Sequence, residues 1–172
     1  MRVPEEVFYS RLCARDTYLF FYLYSLRNRQ GVVCITYEKL KKAGFQPSTL
    51  RASLSRLKER NLIAVKKQYF RYKDVLSHRN CYIINTLPPT DRNPDLPIRK
   101  ILSLSLSPEE KGLLIFLFFL SNPEGDTFCT AKEILSYFSP KPNKALKSLL
   151  DKNYIEKTQF GIRIITDKVV GK

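Results

Sequence analysis

The sequence predicts an α+β chain, mostly helical, in which one small unit occurs twice and each copy closes on an antiparallel hairpin. Three observations carry this expectation. The same order of capping, helix and strand signals runs through both halves. Leu54, Leu57, Glu59, Arg60, Asn61 and Ile63 stand opposite Leu146, Leu149, Asp151, Lys152, Asn153 and Ile155 at one offset of 92, and Thr36 and Leu40 match Thr130 and Ile134 at 94. The second copy therefore lacks two residues in the turn between its two later helices. Between the halves, "TLPPTDRNPDLP" crowds Pro88, Pro89, Pro94 and Pro97 into a polar stretch that suits neither a helix nor a sheet interior. The expected domains are residues 1–87 and 107–172, joined by a proline-containing linker over 88–106.

In the first half, "RDTYLFFYLYSL" predicts a helix, "GVVCI" a short strand, and "TYEKLKKAG" a helix capped by Thr36 and stopped at Gly44. From Gln46 to Ile63, "QPSTLRASLSRLKERNLI" is one helix whose Leu50, Leu54 and Leu57 fall on a single stripe that must face a core. Ile63 to Val65 and Cys81 to Ile84 then suggest two strands joined by a long basic loop. In the second half, "SPEE" is a capping box with proline at the first helical position, so a helix starts at Ser107. A short strand "TFC", a helix from Thr130, a turn through "SPKP", a helix to Asn153 and a hairpin around Gly161 follow.

Thirty Lys plus Arg against sixteen Asp plus Glu leave a net charge of +14, of which +11 lies in residues 1–87 with 17 basic and 6 acidic groups. A chain so charged should seek a polyanion. Cys13, Cys34, Cys81 and Cys129 are scattered singly and His78 is the one histidine, so no zinc site is expected and the thiols should be buried and reduced. No metal, cofactor or catalytic residue is expected. There is no phosphate-binding glycine loop, no Ser, His and Asp set, and no arginine and histidine pattern around any of the ten tyrosines. The start, "MRVPEEVFYS", lacks the pattern of a signal peptide, which points to a cytoplasmic location. The run "LLIFLFFL" from Leu113 to Leu120 is far short of the ~20 residues of a membrane span, so it belongs in a core helix. That helix is apolar almost all round. It needs cover from its own core and from either the N-terminal unit or a second copy of the chain, a homodimer through the C-terminal domain.

The wet face of the Gln46–Ile63 helix carries Ser48, Ala52, Ser55, Arg56 and Glu59, with Thr49 and Arg51 on its flanks. A merely solvated face would favour Glu and Lys, which hold a helix better than Ser. Here no carboxylate appears before Glu59. The unit resembles the winged helix-turn-helix family in the capped "TYEKLKKAG", the turn "GFQPS", the helix with Leu50, Leu54 and Leu57, the closing "RNLI" and the hairpin directly after it. The resemblance covers about 14–86 and 107–166. It implies that the third helix enters the major groove of DNA while the hairpin touches backbone or minor groove.

On that geometry Ser48, Thr49, Arg51, Ala52, Ser55 and Arg56 become base-reading or near-phosphate residues, since Arg donates two bonds to guanine and Ser or Thr bonds a base or a phosphate. The alternative is a solvated face with incidental arginines. In "VKKQYFRYKDVLSHRN", Lys66, Lys67, Arg71, Lys73 and Arg79 can neutralise phosphates, and the interleaved Tyr69, Phe70 and Tyr72 either pack across strands or meet sugars and bases. Lys141, Lys144 and Lys147 suit auxiliary phosphate contact in the second copy. The implied function is sequence-specific binding of double-stranded DNA by a transcriptional regulator. The alternatives are a plasmid or phage replication initiator or DNA-transfer accessory factor, since tandem copies resemble plasmid-type initiators, and a protein-interaction adaptor.

Overall fold

The computed structural model describes residues 1–86 and 94–171. In chain order these form α1 (Glu6–Tyr9), α2 (Ala14–Leu26), β1 (Val32–Cys34), α3 (Tyr37–Lys42), α4 (Pro47–Glu59), β2 (Ile63–Tyr72), β3 (Val75–Ile84), α5 (Ile98–Ser103), α6 (Pro108–Leu120), α7 (Ala131–Ser136), α8 (Asn143–Asp151), β4 (Ile155–Thr158), β5 (Gly161–Ile164) and α9 (Thr166–Val170). Among the described residues the chain is thus mixed α/β, with nine helices, a three-stranded antiparallel sheet ordered β1-β3-β2 and a two-stranded β4-β5 sheet. No helix among them is long and apolar enough to cross a membrane.

The matched residues do the same structural work in both halves. Helices α2 and α6 are both 13 residues long, offset by 94. After each comes one turn: the Asn28 and Asn122 side chains accept from the amides of Val32 and Asp126, and Gly31 and Gly125 bond back to the asparagine carbonyls. Both glycines sit in the left-handed region, at φ 76° and 91°, where a side chain would be strained. Thr36 and Thr130 cap α3 and α7 by accepting from Lys39 and Glu133 amides. Both α4 and α8 end on an asparagine at φ 55°, Asn61 and Asn153, and the next amide, Leu62 or Tyr154, bonds back to the carbonyl of Leu57 or Leu149.

The compact units do not follow the two halves. Unit 2 is Phe20–Leu87, whereas unit 1 combines Met1–Leu19 with Pro88–Lys172. The expected N-terminal domain and unit 2 share a C-terminal limit, but the first 19 residues group with the C-terminal half. In unit 1 they cover α6: Phe8 stacks on Phe119 at 4.0 Å and meets Phe116 at 5.9 Å, and Arg15 pairs with Glu109. Gly112 lets the backbones close in. A Cβ there would lie 1.7 Å from the Ala14 carbonyl oxygen. Leu113–Leu117 are at most 2% exposed.

Four expectations need correction. In the linker, residues 88–93 lie outside the described residues, but 98–103 form α5, because Ile98 and Ile101 fall one turn apart and are fully buried in unit 1. "TFC" is not a strand; Asp126 makes only an isolated bridge to Arg163. The loop between Val65 and Cys81 is a regular hairpin of two ten-residue strands, closed by Lys73 and Asp74 at φ 47° and 60°, the double left-handed turn that matches strand twist. Cys34 and Cys81, expected as buried reduced thiols, are opposed on β1 and β3 with Cα atoms 4.3 Å apart and joined as a disulfide; Cys34 is exposed, and Cys13 and Cys129 are half-buried and not in a disulfide.

Candidate functional site

Unit 2 gathers the charge more sharply than the sequence halves do. Residues 20–87 hold 14 basic and 3 acidic groups, so this one unit carries +11 of the +14. Its scaffold is a helix, a turn and a second helix: Leu40 and Phe45 are fully buried, and α4 starts with Pro47 at its first position. The buried stripe of α4 is Leu50, Ser53 and Leu57, not Leu50, Leu54 and Leu57; Leu54 is half-buried. Ser53 is small enough for the helix to lie close on that side, and its oxygen accepts from the Arg56 guanidinium at 3.4 Å.

That rotation sorts the six α4 candidates. Ser48, Arg51, Ala52 and Ser55 are exposed, while Thr49 and Arg56 are half-buried on the Ser53 side. Thr49 donates its hydroxyl to the Gln46 carbonyl at 2.9 Å, which spends it on the helix start. Ser55 donates to Glu59 at 3.0 Å. Ser48, Arg51 and Ala52 form the outermost patch, at the front of the helix.

The hairpin carries the remaining candidates. Strand β1 pairs only with Cys81, Tyr82 and Ile83 of β3, so from the Lys67–Asn80 pair to the Tyr72–Val75 pair the sheet narrows to a two-stranded ribbon. Lys66, Lys67, Arg71, Lys73 and Arg79 are all exposed along it. Strand alternation puts Lys66, Gln68 and Arg79 on one face, with Arg79 donating to Gln68 at 2.9 Å. Lys67, exposed Tyr69, Arg71 and exposed Leu76 share the other face. Of the aromatics, the side chains of Phe70 and Tyr72, like that of His78, lie outside the described set. Such a ribbon can lay cations on both of its faces against a row of phosphates.

Sequence reasoning passed over Lys39, Lys41 and Lys42, all exposed on α3 of the same unit. Three lysines within four positions beside the turn were the available signal.

In unit 1, Lys141, Lys144 and Lys147 are exposed at the start of α8 and along it, opposite buried Ala145, Leu146 and Leu149. Glu110 of α6 fixes this helix by accepting from Ser148 and Lys152, each at 2.6 Å, and from the Ser107 amide at 2.6 Å. Burial pushes its carboxyl up, but these bonds outweigh burial and hold it at about 2. The β4–β5 hairpin beside it has only four residues per strand. The described residues contain no cluster of His, Cys, Asp and Glu that could hold a metal. Comparison of the chain with protein families, curated proteins and solved structures returns no match.

Proposed function

We propose that the chain is a sequence-specific double-stranded DNA-binding protein of two winged helix-turn-helix units, acting as a transcriptional regulator. The observation that carries this reading is the concentration of +11 on the 68 residues of unit 2, with Lys66, Lys67, Arg71, Lys73 and Arg79 exposed along the ribbon and Arg51 at the front of α4. In this reading Ser48, Arg51 and Ala52 read base edges, and Lys66, Lys67, Arg71, Lys73 and Arg79 hold phosphates, which fix position without carrying sequence information. Thr49, Ser55 and Arg56 join them only by giving up bonds they make within α4. The C-terminal unit adds Lys141, Lys144 and Lys147 as phosphate contacts.

The test is selection of bound duplexes from a random pool, followed by salt titration on the enriched sequence. With about 5 to 8 phosphates neutralised, log K against log salt falls with a slope of roughly −4.5 to −7. Absence of binding at low salt, or a flat salt dependence, overturns the proposal. Enriched sites in front of promoters fit a regulator, and clustered repeats at an origin would move the assignment to replication initiation.

A further inference from the structure

The Cys34–Cys81 bond stands at a decisive place in unit 2. Cys34 is the last residue of β1, and its row is the last at which a third strand supports the ribbon. Beyond it β2 and β3 continue alone through six more pairs. Lys66 is opposite Cys81 on β2, and the Gln68 side-chain oxygen lies 3.8 Å from Cys34 Sγ and 3.5 Å from Cys81 Sγ while accepting from Arg79. In the bonded state neither sulfur has a proton to give Gln68; in the dithiol state each does. The pair thus contacts a residue that holds one of the ribbon's cations.

Accessibility and charge suit exchange. Cys34 is exposed, so a soluble thiol can reach its sulfur, whereas Cys81 is 7% exposed and is the natural leaving or resolving sulfur. Lys66, opposite Cys81, and Arg79, two residues before it on β3, put positive charge beside the pair, which suits the approach of an anionic thiolate.

We propose that Cys34 and Cys81 form a thiol–disulfide switch, operated by a small-molecule thiol and disulfide couple, that sets the order of the ribbon and with it the affinity for duplex DNA. For oxidation, the Cys34 thiolate attacks a disulfide RSSR and expels one RS⁻. The Cys81 thiolate then attacks Cys34 Sγ and expels the second. Two cysteine thiols and RSSR become one protein disulfide and two RSH; the cysteines lose two electrons and two protons, and RSSR gains them. For reduction, RS⁻ attacks Cys34 Sγ and Cys81 leaves as thiolate. A second RS⁻ then attacks the mixed disulfide, releasing Cys34 and RSSR. The bonded form holds the ribbon base in the three-stranded sheet and so binds more tightly, because less order remains to be imposed on binding.

The affinity part rests on the proposed DNA-binding function, so the experiment reads the ribbon and the duplex separately. The full-length chain is equilibrated in glutathione buffers from reducing to oxidising. Thiols are trapped by alkylation and mapped by mass spectrometry, amide exchange of residues 66–81 is measured, and affinity for a duplex is titrated in each state. The expected result is one bond between Cys34 and Cys81, with Cys13 and Cys129 alkylated throughout. Ribbon amides exchange several-fold faster when it is reduced, and duplex affinity falls about three- to tenfold. Cys34→Ser, at an exposed position, stays in the weak state in every buffer. A pair that never bonds, or that bonds with no change in ribbon exchange, overturns the switch. A ribbon that switches in a chain binding no duplex in either state overturns the DNA-binding function and upholds the switch.

Discussion

Two hairpins close the two copies, one with ten-residue strands and the other with four. Beneath them the two copies share the Asn and Gly turn, the threonine cap and the asparagine that ends the second long helix. The difference lies where folding imposes least. A strand pair that has left its third strand gains little by growing, so the six further pairs of the first hairpin and the cations along them point to a use outside the fold. The short hairpin spends its charge internally: Arg163 is bonded to Asp126 at 2.7 Å.

The comparison can be broken most severely at α6. Gly112 stands where α2 has Tyr18, and only the glycine lets Ala14 approach. Gly112→Ala drives a Cβ into backbone and should cost about 3 kcal/mol or more in chemical denaturation. An unchanged midpoint would mean that α2 and α6 are not so closely packed. Next comes the ribbon. Alanine at Lys66, Lys67, Arg71, Lys73 and Arg79 together should lower duplex affinity about a hundredfold or more and flatten the salt slope by about 4.5. Alanine at Lys141, Lys144 and Lys147 should cost less than about tenfold. Equal losses would make the copies functional equals.

Acid sharpens the contrast from the other side. Glu110 has a folded pKa of about 2 against an ordinary 4.5, so its contribution is complete above 4.5 and disappears as pH falls toward 2. About 2 kcal/mol of unit 1's stability should be lost over that window, allowing for partial screening. Glu110→Gln should remove this pH dependence in equilibrium unfolding; a variant that keeps the full slope assigns it elsewhere. Specificity separates the copies in another way. Arg51→Ala should weaken the selected site about ten- to a hundredfold and leave random duplex nearly unchanged. Lys144→Ala should weaken both alike.

The repeat was legible because caps and turns are local: Thr36, Thr130, Asn61 and Asn153 act within a few residues of themselves. The exposed front of α4 was legible for the same reason, though Ser53 in the buried stripe displaced Leu54, because a small residue lets a helix settle where a larger one would be expected. The ribbon was not. Its turn is Lys73–Asp74, without the Asn-Gly pair that usually announces two left-handed residues. Nor was the disulfide, since a separation of 47 residues says nothing until strand register sets Cys34 against Cys81. The packing of residues 1–19 on α6 joins segments far apart in the chain, and no local pattern encodes it.

That last feature bears on the order in which the protein can be made. Unit 2 is continuous in the chain, so every residue it needs has been synthesised once Leu87 has emerged. Unit 1 is interrupted by it. Phe8, buried in the finished protein, must wait through the synthesis of all of unit 2 before α6 exists to receive it. The nascent chain therefore carries apolar residues that stay without their final cover while the basic unit is completed. Contacts between such distant parts of the sequence are also slow to find, so unit 1 sets the pace of refolding.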